Sequence, residues 1–120
     1  MSKTRDGRYD LEDRTFEFAR RVRQLVRQLP RTVSNAEDVK QVVRSSGSVG
    51  ANYIESNEAL SKKDFRRRIR ISRMESKETR FWLRLLDTQD ASALNTERDA
   101  LIQESTELTR IFSTILQKSD

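Results

Sequence analysis

Seven cations at Lys63, Arg66, Arg70, Arg73, Lys77, Arg80 and Arg84 follow one another at alternating intervals of three and four residues. An α-helix advances 100° per residue, so only that conformation gathers them on one face. The same stretch carries two further stripes about 120° away. Phe65, Ile69, Ser72, Ser76, Thr79, Leu83 and Leu86 make a heptad-like core stripe with small polar residues in its middle. Ile71, Glu75, Glu78, Trp82 and Leu85 form a mixed apolar and acidic face. A helix from Lys62 to about Leu86 follows, and the basic row on it extends about 32 Å.

The rest of the chain fits around that helix. Asp13 is an N-cap candidate for a first helix with the stripe Phe18, Val22, Leu25 and Leu29, which Pro30 ends. Ser34 and Glu37 match a capping box for a second helix, whose buried side runs through Val39, Val42 or Val43, Ser46, Val49 or Gly50, and Tyr53. Ser61 and Asp64 mark the start of the third. Asn95 or Thr96 caps a fourth, with Leu101, Leu108, Ile111 or Phe112, and Ile115. The expectation is an all-α, up-and-down antiparallel four-helix bundle, with helices over about 14–29, 35–57, 62–86 and 96–117. It forms a single domain over 13–118, preceded by a disordered tail over 1–12. The small-residue run from Ser45 to Ala51 leaves two readings: close approach of another helix, or a break in the second helix. Two glycines inside a helix cost roughly 1 kcal/mol each relative to alanine, so a packing reason is needed.

Composition narrows the function. Apolar residues make up 34% of the 120 and charged residues 36%, thin for a self-sufficient monomer and suited to a helical bundle or an oligomer. Cysteine and histidine are both absent, which removes disulfides, thiolate metal sites and the commonest general base. No apolar run is long enough for a membrane span or signal core, so a cytoplasmic protein without membrane association is expected. The net charge of +5 is unevenly distributed, because residues 61–86 carry +7 and residues 87–120 carry −4.

That concentration allows three readings of the basic row. It can be a track for an RNA or DNA backbone, a solvated face partly paired with acids of neighbouring helices, or a dock for an acidic protein. Arginine outnumbers lysine on it, which suits bidentate phosphate contact. Glu75 and Glu78, with Glu55 and Glu58, superficially suggest a carboxylate metal site. Such sites normally include histidine, so ion pairs to an arginine such as Arg44 are expected instead, with no metal, cofactor or catalytic residue. Tyr53, Phe81 and Trp82 could stack on bases only by virtue of being aromatic.

The run from Gln41 to Ser56, with its arginine, small residues and Asn52-x-x-Glu55, resembles the second-helix signature of the 23S ribosomal-RNA intervening-sequence protein family. Ser61 to Phe65 resembles that family's third-helix start, Glu75 to Leu86 its continuation, and Phe16 to Pro30 its first helix. Ser56 departs from the glycine common there. The resemblance implies a homo-oligomer, a pentamer in some relatives, and a similarity to accessory proteins of diversity-generating retroelements that bind nucleic acid and a reverse transcriptase. It supplies no catalytic residues, and it implies a structural polar network of Arg44, Asn52 and Glu55, to which the ion pairs expected of Glu75 and Glu78 from the residues themselves are added. The function expected is non-enzymatic binding of nucleic acid, RNA before DNA, through the basic row. The alternative is an adaptor that docks an acidic protein such as a reverse transcriptase or polymerase.

Overall fold

A computed structural model of the chain describes residues 10–120. Four helices follow one another: α1 (Leu11–Gln28), α2 (Val33–Asn57), α3 (Lys62–Leu85) and α4 (Ser92–Lys118). Of the tail expected over 1–12, residues 1–9 lie outside the described residues, and α1 has already begun at Leu11. Contacts between helices show antiparallel neighbours throughout. Thr15 near the start of α1 abuts Gly50 near the end of α2, Asn35 meets Asp87, Arg66 meets Leu116, and Arg21 meets Glu97. The bundle measures 45 × 28 × 19 Å.

Helix ends follow the available side-chain acceptors, and at three of them the cap differs from the expected one. Asp10 takes that role for α1, accepting from the Glu12 amide at 2.9 Å. Thr32 caps α2 by accepting from the Asn35 amide at 3.1 Å, so the helix starts two residues before the expected 35. Ser61 caps α3 as expected, accepting from the Asp64 amide at 3.0 Å. Helix α4 starts at Ser92 and not at 96; Ala91 occupies its N-cap with no side-chain bond. Asn95 cannot cap it, because its Oδ1 pairs with the Thr88 hydroxyl. The turn before α4 places Gln89 and Asp90 at positive φ (51° and 61°), held by the Gln89 amide donating to Asp87 Oδ1. Left-handed conformations cost roughly 1–2 kcal/mol per non-glycine residue.

Phe18, Val22 and Leu25 of α1, Val42 and Val49 of α2, Ile69 and Leu83 of α3, and Leu101, Leu108 and Phe112 of α4 are fully buried. Each contributes about 1.5–3 kcal/mol of transfer free energy. Between α2 and α3 the contact is made of small residues. Ser72 donates to the Val49 carbonyl at 2.9 Å, and Thr79 Oγ1 lies 2.8 Å from Ser45 Oγ. The run from Ser45 to Ala51 is unbroken helix. Its packing reason is α1: a Cβ on Gly50 would lie 2.7 Å from Thr15 Oγ1.

The joint between the α1–α2 turn and the end of α3 is a buried amide. Asn35 donates to the carbonyls of Pro30 and Asp87 and accepts from the Asp87 amide, all at 2.9 Å.

Candidate nucleic-acid interface

Helix α3 presents each of its faces to a different environment. Its core stripe turns inward, with Ile69, Ser72, Ser76, Thr79 and Leu83 buried. On the side toward α2, Arg68 donates to Asn52 Oδ1 at 3.0 Å, and Glu75 receives Arg44 through two bonds of 3.2 and 3.3 Å. Glu75 keeps only 8% of its side chain exposed, and Arg44 also reaches Glu78 at 3.6 Å. The Glu78 carboxyl is held above the usual range, first by desolvation and then by the neighbouring Glu75, while Arg44 pulls it back. Arg44 itself is held above its ordinary value, chiefly by its hydrogen bond to Glu75.

The five residues expected as one polar network therefore fall into separate groups. Arg44, Glu75 and Glu78 form one. Asn52 joins Arg68 instead, and also donates to the Ser48 carbonyl at 3.0 Å. Glu55 is exposed and its side chain takes no hydrogen bond or ion pair among the described residues. Position alone could not have found Arg68, since it lies two residues from Arg66 and two from Arg70, off the basic row.

The basic row lies on the flank of α3 toward α4, and one member is held there. Arg66 donates to the Leu116 carbonyl at 2.6 Å and to Ser119 Oγ at 2.7 Å, and pairs with Asp120 at 3.3 Å. It satisfies carbonyls at the C-terminus of α4, a role that cations fill well. Lys63, Arg70, Lys77, Arg80 and Arg84 are exposed and Arg73 is half-buried; none of these six takes an ion pair or hydrogen bond among the described residues.

Their isolation is explained by where the neighbouring acids point. On α4, Glu104 receives Arg14 of α1 at 2.7 and 2.9 Å, and Glu97 receives Arg21 at 2.7 Å. Glu107 lies 3.8 Å from Arg14. These bonds hold Arg14 and Arg21 above the ordinary guanidinium value. Glu97, Glu104 and Glu107 of α4 thus face α1, Asp99 pairs with Arg98 of its own helix at 3.6 Å, and the six remaining cations of the α3 row are left uncompensated.

Outside the row, Met74, Phe81 and Leu85 are exposed apolar side chains on α3. Phe81 packs against Trp82 with ring centroids 5.1 Å apart and planes at 82°. Between α1 and α2 runs a groove of about 500 Å³, lined among others by Phe16, Ala19, Gly47, Gly50 and Ile54. Phe16 is 68% exposed and Ile54 44%. Among the described residues no three potential ligands are placed to hold a metal, and no helix is long and apolar enough to cross a membrane.

Fold and site together define an all-α bundle with one uncompensated cationic flank. The chain belongs to the 23S rRNA-intervening sequence protein family, whose model matches residues 8–114. It is similar to a protein of unknown function from the S23 ribosomal protein family of Bacteroides thetaiotaomicron, solved by crystallography. The two are 30% identical, with a TM-score of 0.74, over 89% of this chain and 98% of that one. A search of curated proteins returns no match. Neither finding indicates a catalytic family.

Proposed function

We propose that the protein is a non-enzymatic, oligomeric four-helix bundle that binds nucleic acid through Lys63, Arg70, Arg73, Lys77, Arg80 and Arg84. The observation that carries this reading is the absence of compensation: six neighbouring cations on one helix repel one another, while nearby acids are engaged by α1 and α2. A phosphate backbone relieves that repulsion and releases its own counterions. Contacts of this kind give affinity with little sequence readout. RNA is favoured over DNA because the family takes its name from an insertion in ribosomal RNA. Self-association, five-membered by resemblance, would use the apolar groove between α1 and α2, where Phe16 and Ile54 lie open.

The test is an anisotropy titration against generic RNA and DNA at two salt concentrations, with mass from light scattering. Six phosphate contacts weaken binding roughly a thousandfold between about 50 and 200 mM salt. Charge reversal of Arg70, Arg73 and Lys77 together abolishes binding and leaves the helical signal intact. Unchanged affinity in that variant sinks the reading.

A second reading draws support from Met74 and Leu85, which are half exposed beside the cations: an adaptor that docks an acidic protein such as a polymerase. Bulk RNA that fails to compete with such a partner would favour it.

A further inference from the structure

We infer that the nucleic acid held by α3 is single-stranded, and that Phe81 is the platform on which one of its bases stacks. This rests on the phosphate-binding reading above and deepens it.

Phe81 is 54% exposed. Residues three and four apart are neighbours on a helix surface, so Lys77 precedes the ring by one turn and Arg84 follows it by one. Both cations are exposed and unpaired among the described residues. The ring is held in place by Trp82, which itself packs against the core. In a T-shaped contact one ring directs its edge at the other, so whichever ring does so, Trp82 leaves at least one face of Phe81 uncovered. A base needs one face and nothing more. The pairing of a cation with an exposed apolar side chain four residues on occurs twice, as Arg70 with Met74 and Lys77 with Phe81, about 10.5 Å apart along the axis.

A single strand uses both parts of this surface, with phosphates on the cations and unstacked bases on the ring. A duplex uses only the first, because its bases are already stacked. A protein partner covering Phe81 would bury Lys77 and Arg84 with it, and each would then need an acid.

The test compares an oligouridylate of about twelve nucleotides with an RNA duplex of equal phosphate number. Wild type, Phe81→Ala and Phe81→Tyr are titrated at low salt, with mass measured by light scattering. Trp82 is the only tryptophan in the chain, so its emission reports events at the ring. The expected result has four parts. The single strand binds about tenfold more tightly than the duplex. Phe81→Ala removes that margin without changing duplex affinity, and Phe81→Tyr restores it. Wild-type Trp82 emission is quenched by oligouridylate and not by the duplex.

Equal affinity for both probes, with salt dependence intact and Phe81→Ala indifferent, overturns the single-strand inference and leaves the phosphate-binding reading standing. No binding of either probe at low salt overturns both. A drop in mass in Phe81→Ala places the ring in an interface between copies or with a protein, and overturns the inference.

Discussion

Substituting the two α2 glycines by alanine should move stability in opposite directions, for reasons the geometry supplies. Alanine in a helix interior gains roughly 1 kcal/mol over glycine, other things equal. At Gly50 other things are not equal: the new Cβ would lie 2.7 Å from Thr15 Oγ1 and 3.1 Å from Thr15 Cβ. Thr15 is buried and its hydroxyl donates to the Glu12 carbonyl at 3.0 Å, so it cannot swing aside freely. Overpacking of that kind costs about 1–3 kcal/mol, and α1 must move away from α2. Gly50→Ala should therefore come out about 1 kcal/mol less stable than wild type. At Gly47 the nearest atom is Arg23 Nη2 at 3.2 Å, the end of a flexible side chain. Gly47→Ala should keep most of its propensity gain and be about 0.5–1 kcal/mol more stable.

Thermal and urea unfolding followed by helical circular dichroism would separate the two variants by roughly 6–10 °C. The control is Thr15→Ala with Gly50→Ala, which should recover at least about 1 kcal/mol relative to additivity. If Gly50→Ala proves as stable as Gly47→Ala, or the double variant shows no coupling, the close approach of α1 to α2 is wrong.

Three further outcomes are expected. Asn35→Ala strips three bonds from a buried joint and should cost about 2–3 kcal/mol in urea unfolding; a loss under about 0.5 would refute the joint's role. Arg66→Ala should destabilise by about 1–2 kcal/mol through the end of α4, while Arg70→Ala stays within about 0.5, and equal effects would deny the cap. Arg44→Ala should cost about 1 kcal/mol at neutral pH, discounted because the guanidinium is largely exposed. Glu78 has a raised folded value, so its stabilising contribution is present below the ordinary glutamate value and lost as pH rises through the folded one. Removing Arg44 removes the influence that lowers it, so the deficit of Arg44→Ala should grow from acid to neutral pH. A deficit that does not change with pH would contradict this.

Much of the fold was legible because periodicity reports burial directly. Phe18, Val22 and Leu25, or Ile69, Ser72, Ser76, Thr79 and Leu83, are spaced as a helix requires and are buried. Helix starts were less legible where several cap residues compete. Thr32 and Ser34 are both cap-type residues at the start of α2, and Val33 between them is exposed, so no apolar period marks the boundary. At α4 the sequence carries no cap to find, since Ala91 supplies only its backbone and Asn95 is engaged by Thr88.

The basic row was visible as a pattern, but its members' partners were not. Arg66 and Arg70 look equivalent along α3; they differ because the end of α4, 50 residues later, lies against one of them. Asn52 and Glu55 share a motif and a helix, yet only Asn52 meets a cation from α3. The exposure of Phe81 depends in the same way on tertiary placement and not on spacing.

The small, hydroxyl-bearing contact between α2 and α3 has a consequence for how the helices find their alignment. Bulky side chains interlock, so sliding one helix a turn past the other, about 5.4 Å, produces collisions. Serines barely resist such a slide, because one small residue replaces another at nearly the same volume. Shape alone thus leaves adjacent alignments of α3 on α2 nearly degenerate. What distinguishes them is directional: a displaced Ser72 would lose the Val49 carbonyl, and Thr79 would lose Ser45, inside a region that water does not reach. In this bundle the vernier between its two most closely joined helices is written in hydrogen bonds, and the apolar ends of the helices follow the setting it gives.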